Sequence, residues 1–161
     1  MNTTAKPLGR SHHRLSRYGP LVLWAALIFI GSTGLLSSAN TNVILRPVLI
    51  WLFPHASEAT IRLINFIVIR KGAHLTEYAI FALLAARAFR TSSRELLRNH
   101  WFLASLFLVI VYSLSDEFHQ SFVPSRTPSI YDSMIDTLGG LAALAVIAVR
   151  KRWGVAGQRR S

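Results

Sequence analysis

Ionisable side chains recur at helical spacing in three separate stretches of an otherwise apolar chain. The first stretch holds Lys71, His74, Glu77 and Tyr78. Because these positions are three, three and one residues apart, they fall on one face of a helix. A cation beside an imidazole and a carboxylate could hold an anionic substrate and exchange a proton with it. We therefore predict catalytic roles for His74 and Glu77, and substrate-binding roles for Lys71 and Tyr78.

The second stretch carries two adjacent carboxylates, Asp116 and Glu117, with Gln120 one turn later. Pro124 then ends the helix, because proline has no backbone N–H, and the loop that follows brings Arg126 back over the helix end. The pattern predicts a general acid or an orienting carboxylate in Asp116 or Glu117. Gln120 and Arg126 are predicted to bind substrate.

The third stretch begins near Asp132 and places Asp136 and Gly139 on the same helix face. We predict a catalytic role for Asp132 and a substrate-binding role for Asp136, with both carboxylates facing the interior of a helix bundle. Gly139 and Gly140 predict that a neighbouring helix approaches closely below the carboxylates, since small residues let helix backbones come near each other in membranes.

These stretches would bring five carboxylates to one surface if their helix ends converge. A carboxylate buried in a membrane helix costs about 2.5–3.5 kcal/mol on insertion scales. Five negative charges cannot share a partly dry site with two cations unless some are protonated, some reach water or another cation enters. Convergence on an open cavity would favour substrate binding or catalysis, whereas closed mutual pairs would favour a structural role.

A structural role is the main alternative. Polar residues often join helices inside membrane bundles, and the natural partners here would be Lys71 with Glu77, and Arg126 with Asp132 or Asp116. In that case the protein would be a non-catalytic scaffold or a partner-binding subunit.

A divalent metal is a further possibility, because mixed imidazole and carboxylate ligands suit manganese or zinc. The candidate ligands are His74, Glu77, Asp116, Asp132 and His119. The chain lacks the His-Glu-x-x-His pattern of zinc enzymes, so no residue is assigned to a metal site. The sequence leaves open whether a divalent metal binds, and it indicates no particular cofactor. It also lacks a Gly-x-Ser-x-Gly nucleophile motif.

The elements that position these residues are membrane spans. Of the 161 residues, 52% are hydrophobic and only 16% are charged, and a mostly apolar run of about 18 residues can cross a bilayer as a helix. The candidate runs are Pro20–Ser38, Gly72–Phe89, Trp101–Leu114 and Met134–Val149. The third run is long enough only if its polar continuation, Ser115–Gln120, extends the same helix.

The distribution of positive charge predicts the topology. The formal net charge is +11, and 13 of the 18 Lys and Arg residues lie in three flanks: before the first run, between the second and third, and after the fourth. The positive-inside rule places these flanks and both termini in the cytoplasm. Nucleic-acid binding is disfavoured, because such proteins interleave basic and aromatic residues on a solvated face.

We therefore predict an all-α, polytopic membrane helix bundle of about four transmembrane helices. Residues 1–18 and 153–161 are predicted cytoplasmic basic tails, and residues 19–152 form the transmembrane domain. Residues 39–70 are too apolar for a solvated loop and are broken by prolines, so they predict an interfacial or re-entrant segment between helices one and two. Whether these residues include a fifth short span stays open.

The three polar stretches together resemble the signature blocks of the VanZ-like family of small bacterial membrane proteins. The blocks read Lys71-x-x-His74-x-x-Glu77-Tyr78, Asp116-Glu117-x-x-Gln120-x-Phe122-x-Pro124-x-Arg126 and Asp132-x-x-x-Asp136-x-x-Gly139. The resemblance covers about residues 20–150. It implies a bundle of four to five helices and links the protein to low-level teicoplanin resistance, a cell-envelope phenotype. Position 136 departs from the family pattern, which has Asn there, so the Asp adds a negative charge.

The residues and the resemblance predict an integral protein of the bacterial cytoplasmic membrane, connected with the cell envelope or with teicoplanin resistance. Its outward-facing polar site is expected to bind or modify an anionic, lipid-linked envelope substrate. Membrane lipid and a lipid-linked envelope precursor are the expected partners. The sequence leaves open whether the protein is an enzyme, and it does not define the oligomeric state.

Overall fold

Long apolar helices dominate the chain, as the hydropathy pattern predicts. The computed structural model describes residues 9–33 and 38–158, with side chains described at 13–33, 42–65 and 67–151. The helices are α1 Gly9–Ser32, α2 Ser38–Leu52, α3 Glu58–Leu63, a π-helical segment Ile64–Lys71, α4 Gly72–Arg90, α5 Glu95–Asn99, α6 Trp101–Gln120 and α7 Ile130–Gln158. The described residues contain no β-strand, so the predicted all-α class is confirmed.

Three of these helices are long and apolar enough to cross a membrane, by length and composition. They are His13–Ser32 within α1, Trp101–Gln120, which is α6, and Ile130–Lys151 within α7. The predicted continuation of the third span through Gln120 is therefore confirmed. α4 has 19 residues and completes a bundle of about four long helices, although it also carries charged residues near both ends.

α4 lies at the centre of the bundle, where it packs against α1, α6 and α7. Ala82, Ala85, Ala86 and Ala88 are fully buried on this helix, and their small side chains allow the neighbouring helices to come close.

Gly139 and Gly140 set the distance between α7 and its neighbours, as the sequence predicts. A Cβ added at Gly139 would lie 2.3 Å from the backbone oxygen of Leu75 in α4. A Cβ at Gly140 would lie 2.8 Å from Cγ1 of Val109 in α6. Glycine is therefore required at position 139 by direct contact between two helix backbones.

The long helices run antiparallel, so that their basic flanks gather at one end. Tyr18 in α1 shares a 3.1 Å hydrogen bond with Ser92, which follows α4. The guanidinium of Arg87 in α4 donates to the backbone oxygen of Ser16 at 3.3 Å. We call this end of the bundle the basic end.

The opposite end of the bundle contains the last residues of α1 and α6 and the first residues of α7. We call it the site end. Ser32 donates a hydrogen bond to Asp116, and Ser133 donates to the backbone oxygen of Ser113 at 3.3 Å. The start of α4 lies at this end as well, because Lys71, directly before α4, pairs with Asp132 in the first turn of α7. The polar ends of the predicted second, third and fourth spans therefore meet at one end of the bundle, as predicted from the sequence.

The segment between the first two spans forms a helical hairpin of α2, α3 and the π-helical segment, which we call the α2–α3 hairpin. Arg46 and Glu58 close it with a 2.6 Å ion pair. α2 has 15 residues, which is short for a bilayer-spanning helix. Val43 and Trp51 on α2 are largely exposed, as suits an interfacial or re-entrant helix whose apolar face contacts lipid.

Candidate functional site

A cavity of about 500 Å³ lies at the site end, between α1, the α2–α3 hairpin and α4. Small-molecule sites in proteins commonly have volumes of about 300–1,000 Å³. The walls combine apolar side chains with arginine, amide and ionisable groups. The lining residues are Ile28, Gly31, Ser32, Asn42, Leu45, Arg62, Asn65, Ile69, Arg70, Ala73, His74, Glu77, Gln120 and Arg126.

His74 connects this cavity with a buried carboxylate on α7. Its Nδ1 lies 3.3 Å from Oδ1 of Asp136, whose side chain is fully buried. The two groups are close enough to form an ion pair when His74 is protonated, but they are not aligned as a hydrogen bond, and neither oxygen of Asp136 receives a hydrogen bond from the described residues. Because Asp136 engages Nδ1, Nε2 is the ring nitrogen available to the cavity. An imidazole oriented by a carboxylate can accept or donate a proton at that nitrogen.

Glu77 lines the same cavity and lies three residues after His74 on α4. Its backbone oxygen accepts a 2.9 Å hydrogen bond from the indole of Trp24 in α1. This bond fixes α4 against α1 at the level of the cavity. Trp24 therefore has a structural role here, beyond the general preference of tryptophan for membrane interfaces.

Arg126 closes the cavity from the loop between α6 and α7. Its Nε and Nη2 donate to the backbone oxygen of Thr33 at 3.2 Å and 3.0 Å, and Nη2 also donates to the backbone oxygen of Gly31. The last carbonyls of a helix lack partners within the helix and carry partial negative charge. Arg126 satisfies these groups at the end of α1, where the sequence analysis expected a carboxylate partner.

Three arginines from separate elements line the cavity: Arg62 from α3, Arg70 from the π-helical segment and Arg126 from the loop. Burial lowers the pKa of Arg126, and the neighbouring charge of Arg70 lowers that pKa further. A guanidinium nevertheless remains charged at neutral pH. Like charges that share a partly dry space repel each other, so an anion held between them would be stabilised.

Two predicted site carboxylates, Asp116 and Glu117, are bound to neighbouring elements. Asp116 accepts hydrogen bonds from Ser32 and, at 3.0 Å, from Nε2 of Gln120. Glu117 accepts a 2.6 Å hydrogen bond through Oε2 from the backbone N–H of Ser129, directly before α7. Both carboxylates therefore hold the ends of α1, α6 and α7 together, while Gln120 reaches the cavity wall.

Lys71 and Asp132 form an ion pair with Nζ and Oδ1 3.3 Å apart. In the structural-role alternative, Glu77 was the predicted partner of Lys71. Glu77 lies on α4, which continues directly from the π-helical segment that ends at Lys71, whereas Asp132 lies in the first turn of α7. The observed pair therefore joins α7 to the start of α4.

Tyr78 belongs to the packed interior. Its ring is fully buried and contacts Phe81 and Tyr112 at centroid distances of 6.1 and 6.4 Å. The described residues provide no hydrogen-bond partner for its hydroxyl. Tyr78 does not line the cavity, although it shares a helix with His74.

The ten predicted site residues thus divide into two groups. His74, Glu77, Gln120 and Arg126 line the cavity, and Asp136 contacts it through His74. The other five make contacts between elements of the bundle: Lys71, Tyr78, Asp116, Glu117 and Asp132.

Four polar cavity residues of the α2–α3 hairpin were not among the predicted site residues: Asn42, Arg62, Asn65 and Arg70. Asn65 donates a hydrogen bond to Asn42, which ties α2 to the π-helical segment at the cavity wall. The spacing of Arg62 and Asn65, three residues apart, was the available signal. It pointed to a polar helix face but not to the element that this face contacts.

A metal site would need at least three suitable ligands close together. Within the part of the chain that the structure describes, no group of three or more His, Asp or Glu side chains is arranged to hold a metal ion. The candidate ligands are separated because His74 and Glu77 line the cavity, while Asp116 and Asp132 pair elsewhere.

The fold and the site together define a polytopic α-helical membrane protein with an arginine-lined polar cavity at one end of its bundle. The family model described as VanZ/LLP1 matches residues 18–151, and the chain belongs to this family. The matched range contains all of the predicted site residues. No curated protein and no solved structure shows significant similarity to the chain.

Proposed function

We propose that the cavity binds the anionic head group of a lipid-linked molecule of the cell envelope. The observation that carries this proposal is the convergence of Arg62, Arg70 and Arg126 on a single cavity that also contains His74 and Glu77. Guanidinium groups recognise phosphates and carboxylates through charge-assisted, often bidentate hydrogen bonds.

The other walls of the cavity suit a molecule that has an apolar part. Ile28, Leu45 and Ile69 line the cavity beside the arginines. The adjacent α2 exposes apolar side chains along much of its length, which would place this wall against lipid. A head group could then enter from the membrane surface while its chain remained in the bilayer.

Proton transfer is the reaction type that these residues could support. His74 offers Nε2 to the cavity while Asp136 engages Nδ1, and Glu77 adds a carboxylate on the same wall. In the enzymatic form of the proposal, His74 or Glu77 acts as general base toward a water or hydroxyl beside the bound anion. Asp116 and Glu117 would then position the cavity through their bonds to Ser32 and Ser129.

We place the protein in the bacterial cytoplasmic membrane, with its basic end and both termini in the cytoplasm. The support is the collection of arginines at one end of the antiparallel helices and the positive-inside rule. The cavity would then face outward, toward the cell envelope. Family membership supports a link to teicoplanin resistance through that compartment.

The test is direct binding by the full-length protein in detergent, with a short-chain polyprenyl phosphate and its matching alcohol as probes. Arg62→Gln removes an exposed guanidinium from the cavity wall. Since a hydrogen bond to a charged group contributes about 1.5–3 kcal/mol, we expect this variant to bind the phosphate roughly tenfold more weakly.

Arg46→Gln is the matched control, because Arg46 lies in the same hairpin and pairs with Glu58, and does not line the cavity. We expect this variant to bind like the original protein, and the alcohol to bind much more weakly than the phosphate. Equal binding of phosphate and alcohol, or equal weakening by both substitutions, would contradict the proposal.

A non-catalytic scaffold is the second candidate, and a specific observation favours it. Lys71, Asp116, Glu117 and Asp132 all make bonds between elements of the bundle. Under this alternative the polar groups maintain the shape of a partner-binding surface, and loss of any of them lowers function in proportion to protein abundance.

A further inference from the structure

A second cationic pocket lies at the basic end of the bundle, far from the site-end cavity. Its volume is about 320 Å³, and its walls come from the start of α1 and from the turn and short helix after α4. The lining residues are Arg14, Arg17, Tyr18, Ser93, Arg94 and Leu97. Three of these six residues carry a permanent positive charge.

Two hydrogen bonds fix the walls of this pocket. Tyr18 and Ser92 are joined at 3.1 Å, and the guanidinium of Arg87 donates to the backbone oxygen of Ser16 at 3.3 Å. These bonds connect α1 with the end of α4 and with the turn that carries Ser93. The backbone segments that carry the lining residues are therefore held in place by the packing of α1 against α4.

The arginines that line the pocket have no ion-pair partner among the side chains that the structure describes. No described carboxylate forms an ion pair with Arg14, Arg17 or Arg94. By contrast, Arg87 and Arg98 at the same end donate to backbone oxygens. Three uncompensated guanidinium groups facing one pocket create a strong local positive potential.

Apolar side chains border the charged groups. Leu97 lines the pocket, and Leu15 and Leu96, which are next to lining residues in the sequence, are 71% and 72% exposed. A ligand with an anionic head and an acyl chain would satisfy both kinds of surface. A soluble anion would use only the arginines.

We propose that this pocket binds the phosphate head group of an anionic phospholipid from the leaflet at the basic end. The proposal is independent of the function of the site-end cavity. Basic pockets between membrane helices commonly bind acidic head groups, with about 1 kcal/mol contributed by each Lys or Arg near the surface. The bound lipid would hold α1 against the segment that follows α4.

Native mass spectrometry of the full-length protein tests the proposal, with phosphatidylglycerol and phosphatidylcholine of identical chains as probes. The original protein should retain phosphatidylglycerol in preference. Arg14→Gln combined with Arg94→Gln should weaken that binding roughly tenfold or more, since two of the three charges are lost. These side chains are exposed, so the variant should fold.

Two controls separate this pocket from other sources of binding. Arg150→Gln combined with Lys151→Gln removes the same charge from exposed positions at the same end and should bind phosphatidylglycerol normally. Arg46→Gln removes an exposed charge at the other end of the bundle, outside both pockets, and should also bind it normally. Equal weakening by the two double variants would overturn the proposal in favour of diffuse attraction. No preference for phosphatidylglycerol, or equally tight binding of glycerol 3-phosphate, would also overturn it.

Discussion

Nδ1 of His74 in α4 and Oδ1 of Asp136 in α7 lie 3.3 Å apart, and the Asp136 side chain is fully buried. This pair joins the cavity wall to the interior of the bundle. A carboxylate in such a place needs a partner, because burial of an isolated charge is expensive. The pair therefore links bundle stability to the orientation of the ring that faces the cavity.

The first prediction is that the two residues of this pair are energetically coupled. His74→Leu alone leaves Asp136 without its partner, and should reduce the free energy of unfolding by about 1–3 kcal/mol. Asp136→Asn removes the buried charge at nearly constant volume, so the double variant should recover at least half of that loss. Thermal unfolding of the four proteins in detergent measures the coupling, and strictly additive losses would show that the two residues are not coupled.

The second prediction concerns the contact between α7 and α4. Gly139→Ala places a Cβ 2.3 Å from the backbone oxygen of Leu75, so the two helices must separate, and stability should fall by about 1–3 kcal/mol. Gly72→Ala is the control, because its Cβ would meet nothing within 4 Å. Since alanine favours helix over glycine, this variant should be unchanged or more stable by up to about 1 kcal/mol. Thermal unfolding distinguishes them, and equal stability of the two variants would disprove the close contact.

The third prediction separates proton chemistry from binding and from structure. Glu77→Gln removes a negative charge from the arginine-lined cavity, so polyprenyl phosphate should bind at least as tightly, while the envelope phenotype is lost if Glu77 is a general base. Asp132→Asn breaks the pair with Lys71 and should lower stability by about 1 kcal/mol or less. Teicoplanin susceptibility of expressing cells, normalised to protein abundance, is the readout. A Glu77→Gln variant with an intact phenotype would indicate that the protein binds without acid–base catalysis.

The fourth prediction tests the orientation in the membrane. The chain has no cysteine, so single cysteines can be introduced at the exposed positions Ser93, at the basic end, and Thr127, at the site end. A membrane-impermeant maleimide added to spheroplasts should label Thr127→Cys directly and Ser93→Cys only after permeabilisation. Labelling of both positions from the same side would contradict the four-helix topology.

The sequence by itself was enough for the membrane architecture. A bilayer requires helices of a certain length whose backbone groups are internally bonded, so the apolar runs and their basic flanks predicted the long helices. The close approach at Gly139 was also predictable, because a glycine on the helix face that carries the carboxylates lets a neighbouring helix backbone come near. These features depend on local spacing, which can be read from the chain.

Only the tertiary structure decided which polar groups meet. Lys71 contacts Asp132, and Arg126 bonds to the end of α1, because partner choice depends on how helices distant in sequence are placed. The contribution of Arg62 and Arg70 to the cavity likewise depends on how the α2–α3 hairpin folds against the bundle. Helical periodicity determines the face on which a side chain lies, but the packing of separate elements determines what that face contacts.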